Sequence, residues 1–274
     1  MLNQVSNITS IQYAVSNVIN EVFKTMYKKD YTSYILFIGR AAVIPGLKRI
    51  TGTDCVVDYM LDTYYDKTRT DFYIRYLRRN YSKDGFTYNG ERGLDDMHIE
   101  LMIYAHLWDS SYYLKALVRI AEIVSGNGYL WDPQVNWRKK EKKMRECIIA
   151  PLKNAGLALG DFIDQCYDSR IRNAFAHSQY LINHDRRVIT IKDDNGDFSL
   201  TFNEFQNLFL RSVILMNKME NALEMNHDTA AKIGAALTEV FKTPDGLSVQ
   251  VYGKMARRGK VLSPEFRLVG IRRE

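Results

Sequence analysis

Arg172, Asn173 and His177 fall within six residues of one another, in the string Ser169-Arg170-Ile171-Arg172-Asn173-Ala174-Phe175-Ala176-His177-Ser178-Gln179-Tyr180. Histidine is the side chain best suited to move protons near neutral pH. Arginine is permanently charged and forks onto phosphate oxygens. Cleaving RNA through its own 2′-hydroxyl needs little more. A base takes the hydroxyl proton, and the freed oxygen attacks the adjacent phosphorus in line. A cation steadies the charge on the non-bridging oxygens, and an acid protonates the departing 5′-oxygen. No metal or other cofactor is required, and the sequence offers no carboxylate cluster of the two-metal kind.

Each residue also has a plainer role. Arg172 and His177 can be a satisfied pair joining helices. Asn173 either supports the histidine, bonds a phosphate, or is a local capping amide. Ser178 and Tyr180 either line the same groove or pack. Arg170 either adds a phosphate contact or pairs with Asp168. The spacing adds a constraint. Five residues of ideal helix turn through about 500°, which sets Arg172 and His177 some 140° apart. They share no face on a straight helix. Either the length of arginine closes the gap, or the helix starts, ends or kinks within the motif, or two copies of the chain bring their segments together. Two-fold dimers are the commonest oligomers, and one would supply a histidine base and a histidine acid.

Upstream lies the densest basic run, Arg138-Lys139-Lys140-Glu141-Lys142-Lys143-Met144-Arg145. Lys139, Lys140, Lys142 and Lys143 are candidates to track phosphates, the alternative being a solvated helix start. A net charge of +6 and a pI near 9.0 tilt the partner question toward RNA or DNA. No apolar run approaches the roughly 18 to 20 residues of a membrane span. Residues 1–10 lack the basic start and apolar centre of a secretory signal, so cytoplasmic location is the expectation. The three cysteines have no disulfide or zinc spacing, and Cys166 sits in an apolar helical stretch. His98 and His106 lack partners at metal spacing and read as packed or exposed.

The elements that must position these residues are mainly helical. Val15, Val18, Ile19, Val22 and Phe23 mark one amphipathic helix. Further helices are expected at 32–42, 54–65 and 71–81. In the last, arginines and tyrosines interleave, which suits either a nucleic-acid surface or a helix with tyrosines inward and arginines solvated. A glycine-rich loop at 83–93 is the candidate domain boundary. A long helix from Asp95 to about Val124 follows, then a loop to Trp137 and a short helix that Pro151 ends or kinks. The helix from Leu157 carries the motif. After it the period changes from 3.6 to 2, with Val188, Thr190 and Lys192 alternating, a turn at 193–197 and a resumed strand at 198–200. Thr201 and Glu204 form a capping box for another helix. A shorter helix is expected at 229–241, and a small basic hairpin at the end carries Lys254, Arg257, Arg258, Lys260, Arg267, Arg272 and Arg273. The expected organisation is an N-terminal helical unit over 1–90, a helical bundle over 91–228 and a C-terminal helix with a basic β tail over 229–274. The fold class is mainly α, with a minor β-hairpin after the motif helix.

With this context the string R-N-A-F-A-H-S-x-Y resembles the motif of the HEPN superfamily (higher eukaryotes and prokaryotes nucleotide-binding), whose members carry R-x(4–6)-H within small helical bundles. Arg172, Asn173 and His177 match that motif one by one, and the resemblance covers roughly residues 93–227. It implies a metal-independent endoribonuclease with Arg172, Asn173 and His177 as catalytic residues. It further implies a homodimer with a composite active site, and a role in toxin–antitoxin, abortive-infection or antiviral defence, with a cognate antitoxin or regulatory partner. Other members of the superfamily are non-catalytic modules that bind RNA, nucleotide or protein, and this remains the alternative.

Overall fold

Val15, Ile19, Val22 and Met26 are buried along one side of α1 (Ile8–Lys29), as their spacing requires. The computed structural model describes residues 8–57, 72–73, 75–77, 79–81, 93–192, 196–234 and 241–272. Asp30 caps α2 (Tyr31–Ile38) by accepting from the Ser33 N–H at 2.9 Å. A short ribbon follows, with β1 (Ala42–Val43) antiparallel to β2 (Cys55–Val56) and α3 (Lys48–Thr51) between them. Residues 55–56 are therefore strand where a helix over 54–65 was expected; positions 58–65 lie outside the described residues. In the segment expected to be helical at 71–81, Tyr73, Tyr76 and Tyr81 are buried while Arg75 and Arg79 are exposed. The tyrosines pack inward, and the arginines are solvated. The expected loop at 83–92 lies outside the described residues.

The long helix expected from Asp95 to Val124 is two helices, α4 (Leu94–Asp109) and α5 (Ser111–Ser125). Ser110 ends one and caps the other, its side chain accepting from the Tyr113 N–H at 3.4 Å. The apolar stripe runs through both halves, so periodicity alone does not reveal the break. Gly126, at φ 86°, closes α5 in the left-handed region where glycine carries no penalty. After a loop come α6 (Lys140–Met144), a single π-helical turn at Arg145–Ile149, and α7 (Ala150–Asn154). Pro151 does not end this run. It lacks an N–H, and the ladder widens just before it, the Ala150 N–H reaching back to Arg145 O.

The expected single helix through the motif is also broken, into α8 (Ala158–Cys166) and α9 (Ser169–Ala176). A three-stranded antiparallel sheet follows, β3 (Tyr180–Asn183), β4 (Val188–Ile191) and β5 (Phe198–Thr201), in that order. The strand β3 adds to the hairpin read from the sequence. The capping box forms, with Thr201 N–H bonding Glu204 at 2.7 Å and Glu204 N–H bonding Thr201 Oγ1 at 3.2 Å. It starts α10 (Phe202–Lys232), whose 31 residues absorb the start of the separate helix expected at 229–241. A last sheet orders β6 (Phe241–Lys242), β7 (Ser248–Arg258) and β8 (Val261–Arg272).

The architecture is mainly helical with small antiparallel sheets. Buried apolar side chains from Ile11 to Phe266 form one continuous core. α10 runs through it, packing on α1, α4, α8 and the β7–β8 hairpin. The first two helices therefore share the core that holds the motif. Among the described residues, no helix is long and apolar enough to cross a membrane.

Candidate functional site

Two devices hold α9. At its start, Asp168 caps the helix by accepting from the Arg170 N–H at 2.9 Å. The break before it is stitched by Tyr104, which is fully buried on α4. Its hydroxyl donates to Cys166 O at 2.9 Å and accepts from the Asp168 N–H at 2.8 Å. One side chain thus satisfies backbone groups on both sides of the break. At the other end the chain forms a Schellman turn. Gln179 N–H bonds Ala174 O at 2.7 Å, and Ser178 N–H bonds Phe175 O at 3.2 Å. Ser178 sits at φ 55°, where glycine is the usual occupant. Ile171 and Ala174 are the buried face. His177 is the cap residue, exposed, and its ring has no protein partner among the described residues. The helix therefore ends within the motif, one of the outcomes its spacing allows.

Arg172 points the other way, toward the end of α4. Its Nε lies 3.0 Å from both oxygens of Asp109, and its Nη2 lies 2.8 Å from Oδ1. Its Nη1 donates to Asn173 Oδ1 at 2.8 Å. Lys140 bonds the same carboxylate. Burial alone would raise the Asp109 carboxyl, but the hydrogen bonds and charges of Arg172 and Lys140 outweigh it and hold the group below its ordinary value. Lys140 is shifted down, mainly by burial and further by Arg172, against the pull of Asp109. Two cations thus share one carboxylate, leaving the centre net positive. The contacts of Arg172 engage three of its five N–H groups, and two remain for a ligand.

Beside this centre opens a cleft of about 580 Å³, lined by Trp137, Lys139, Lys142, Arg145, Arg172 and Asn173 among others. The basic run and the motif helix, separate in sequence, both line it. Ser169 joins them by donating to Glu141 at 2.9 Å. Trp137 fixes its ring by donating its indole N–H to Gln134 O at 2.6 Å. Much of the cleft's charge is answered within the protein. Glu146 lies 3.5 Å from Lys142 and 3.3 Å from Lys143, and Asp164 lies 3.0 Å from Arg145. Lys139 is exposed and makes no ion pair among the described residues.

The predicted residues divide accordingly. Arg172, Asn173, Lys139, Lys140 and Lys142 meet in the cleft, and Lys143 lies outside it. Arg170 lies outside the cleft, pairs with Asp168 at 2.7 Å, the second of the roles its position allowed, and stacks 3.8 Å above Phe198. Tyr180 packs on Phe175, with ring centroids 5.9 Å apart, and bonds His98 Nδ1 through its hydroxyl at 2.8 Å. Ser178 makes the turn, and neither it nor His177 lines the cleft. Sequence reasoning missed Asp109, Trp137, Ser169 and Arg145. Nothing local marks Asp109, because its partner Arg172 is 63 residues away. No protein-family model matches the chain, and neither does any curated protein or solved structure at the significance required.

Proposed function

We propose that this protein is an endoribonuclease that holds RNA in the cleft and cleaves it by 2′-hydroxyl transesterification. One observation carries the reading. The basic run folds directly against the helix bearing Arg172 and Asn173, with two guanidinium N–H groups still available there. Arg172 stabilises the phosphorane, and Asn173 holds the guanidinium in place. His177 acts as general acid or base from the exposed end of the same helix. His177 lies outside the cleft, so each chain holds half a site, and a second copy completes it. The attack yields a 2′,3′-cyclic phosphate and a 5′-hydroxyl, with no metal in the step. The protein fits a defence or toxin-type effector restrained by a cognate partner.

The test is incubation with mixed RNAs in EDTA. Wild type cleaves, His177→Ala loses roughly 10²-fold or more, as for a lost general acid–base, and Arg172→Ala loses roughly 10²- to 10³-fold. Failure of wild type to cleave, or equal cleavage by His177→Ala, overturns the catalytic assignment. A second reading has its own support. Asp109 already engages two of the five N–H groups of Arg172, as in a module that binds RNA, a nucleotide or a protein without cutting. That reading predicts salt-dependent RNA binding with no products.

A further inference from the structure

We propose that the β7–β8 hairpin is a second nucleic-acid-binding element, an arm that grips sugar-phosphate backbone independently of the cleft. The sequence of residues 248–272 holds six basic residues against the single acid Glu265. Five of the chain's six net positive charges therefore belong to this one hairpin. The cleft is different, because its cations are largely answered by Asp109, Glu146 and Asp164. In the hairpin, Glu265 pairs with Arg267. Among the described residues, Lys254 and Lys260 make no ion pair, and the one bond of the Arg257 side chain is to the Gly259 carbonyl, at 3.0 Å.

The packing leaves Arg257, Lys260 and Arg267 exposed. At its base the hairpin lies flat on the end of α10. Val249 and Val251 are fully buried, and Phe266 meets His227 at 5.0 Å between centroids. Gly253 touches the helix so closely that a Cβ there would come within 2.5 Å of Ala231 Cα. α10 stops one residue later, at Lys232. The hairpin continues for five more residue pairs, from Lys254↔Glu265 to Arg258↔Val261. That is an overhang of about 17 Å at strand rise. Met255, Val261 and Leu262 are exposed on it.

The distribution of charge selects the ligand class. Tyr252 and Lys254 sit on the face of β7 opposite the helix, and Tyr252 pairs with Arg267 across the strands. Glu265, opposite Lys254, shares that face, and a ring beside Lys254 and Arg267 suits phosphates and stacked bases. A lipid surface would need only the apolar tip. The backbone can come from single-stranded RNA, duplex RNA or duplex DNA, so each is a separate arm of the test.

The probes are a labelled 2′-O-methyl RNA strand, which cannot be cut through its 2′-oxygen, and RNA and DNA duplexes of the same sequence. Binding to the full chain is followed by anisotropy over a salt series. The triple variant Lys254→Ala/Arg257→Ala/Lys260→Ala changes two exposed side chains and one half-buried one, Lys254, and retains the fold, verified by its melting temperature. It lowers the slope of log affinity against log salt by about 2, three contacts at roughly 0.7 each for a single strand. Val261→Ser/Leu262→Ser binds the same probes like wild type. An unchanged slope in the triple variant overturns the proposal. So does binding to phosphatidylserine vesicles that the Val261/Leu262 variant abolishes while no nucleic acid binds. Arg172 and His177 are untouched throughout, so loss of the ribonuclease reading would leave this result standing.

Discussion

Asp109 decides what Arg172 can do. A carboxylate at the C-terminal end of a helix faces the negative end of the helix dipole. It is tolerated here because Arg172 and Lys140 both bond it. Replacing it with alanine strands two half-buried cations beside each other, at a cost of about 1–2 kcal/mol for charged hydrogen bonds lost near the surface. Urea unfolding at neutral pH measures this. The pH dependence has a definite sign. The folded carboxyl lies below its unfolded value of about 4. Its contribution is therefore complete above that value and fades as pH falls through the lower folded one. The stability gap between wild type and Asp109→Asn should shrink steadily as pH drops below about 4. A gap constant across that range would show that folding does not lower the Asp109 carboxyl. Arg172 and His177 were legible as residues because they lie close in sequence. That they share no face was legible from their spacing; the pairing of Arg172 with Asp109 was not, because Asp109 comes from another helix.

At the scale of elements, the two unexpected breaks matter most. Apolar periodicity continues through Ser110 and through Tyr167-Asp168, so both stretches read as single helices. What breaks them is polar: a serine that caps forward, and the Tyr104 hydroxyl that replaces helical hydrogen bonds. Hydrophobic spacing reports which face is buried and says little about where a ladder stops. The capping box at Thr201 was readable because its whole mechanism lies within four residues. Tyr104→Phe tests the stitch. It keeps the ring and unpairs the Asp168 N–H and partly the Cys166 carbonyl, costing about 1–3 kcal/mol. It should also lower RNA affinity by tilting α9 away from the basic run, whereas an unaltered urea midpoint would show that the hydroxyl is dispensable. The far end of α9 predicts the opposite change. Ser178→Gly relieves a left-handed serine and should stabilise by about 0.5–1 kcal/mol, net of the added freedom of the unfolded chain. A chain of this size would then melt roughly 2 °C higher, and a lower melting temperature would mean that the serine hydroxyl contributes more than the strain costs.

For the whole molecule, the shared core fixes the relation between the parts. α1 and α2 pack into the same apolar interior as the motif bundle, and the C-terminal hairpin clamps the end of α10. A core this continuous holds the cleft on one side and leaves His177 in solvent at the end of α9. Under the proposed half-site mechanism, that exposure is functional, because each histidine must meet a partner chain. Mixing tests it without any structural assumption. In a two-fold dimer that needs both histidines, one His177→Ala chain disables both halves. When an equal amount of His177→Ala is exchanged into a fixed amount of wild type, about half of the wild-type chains pair with a variant. The cleavage rate should fall to about half, and fall further as variant is added. If each chain carried a complete site, added variant would leave the rate unchanged. The measurement therefore separates a shared site from a self-contained one even though both predict an inactive His177→Ala protein on its own.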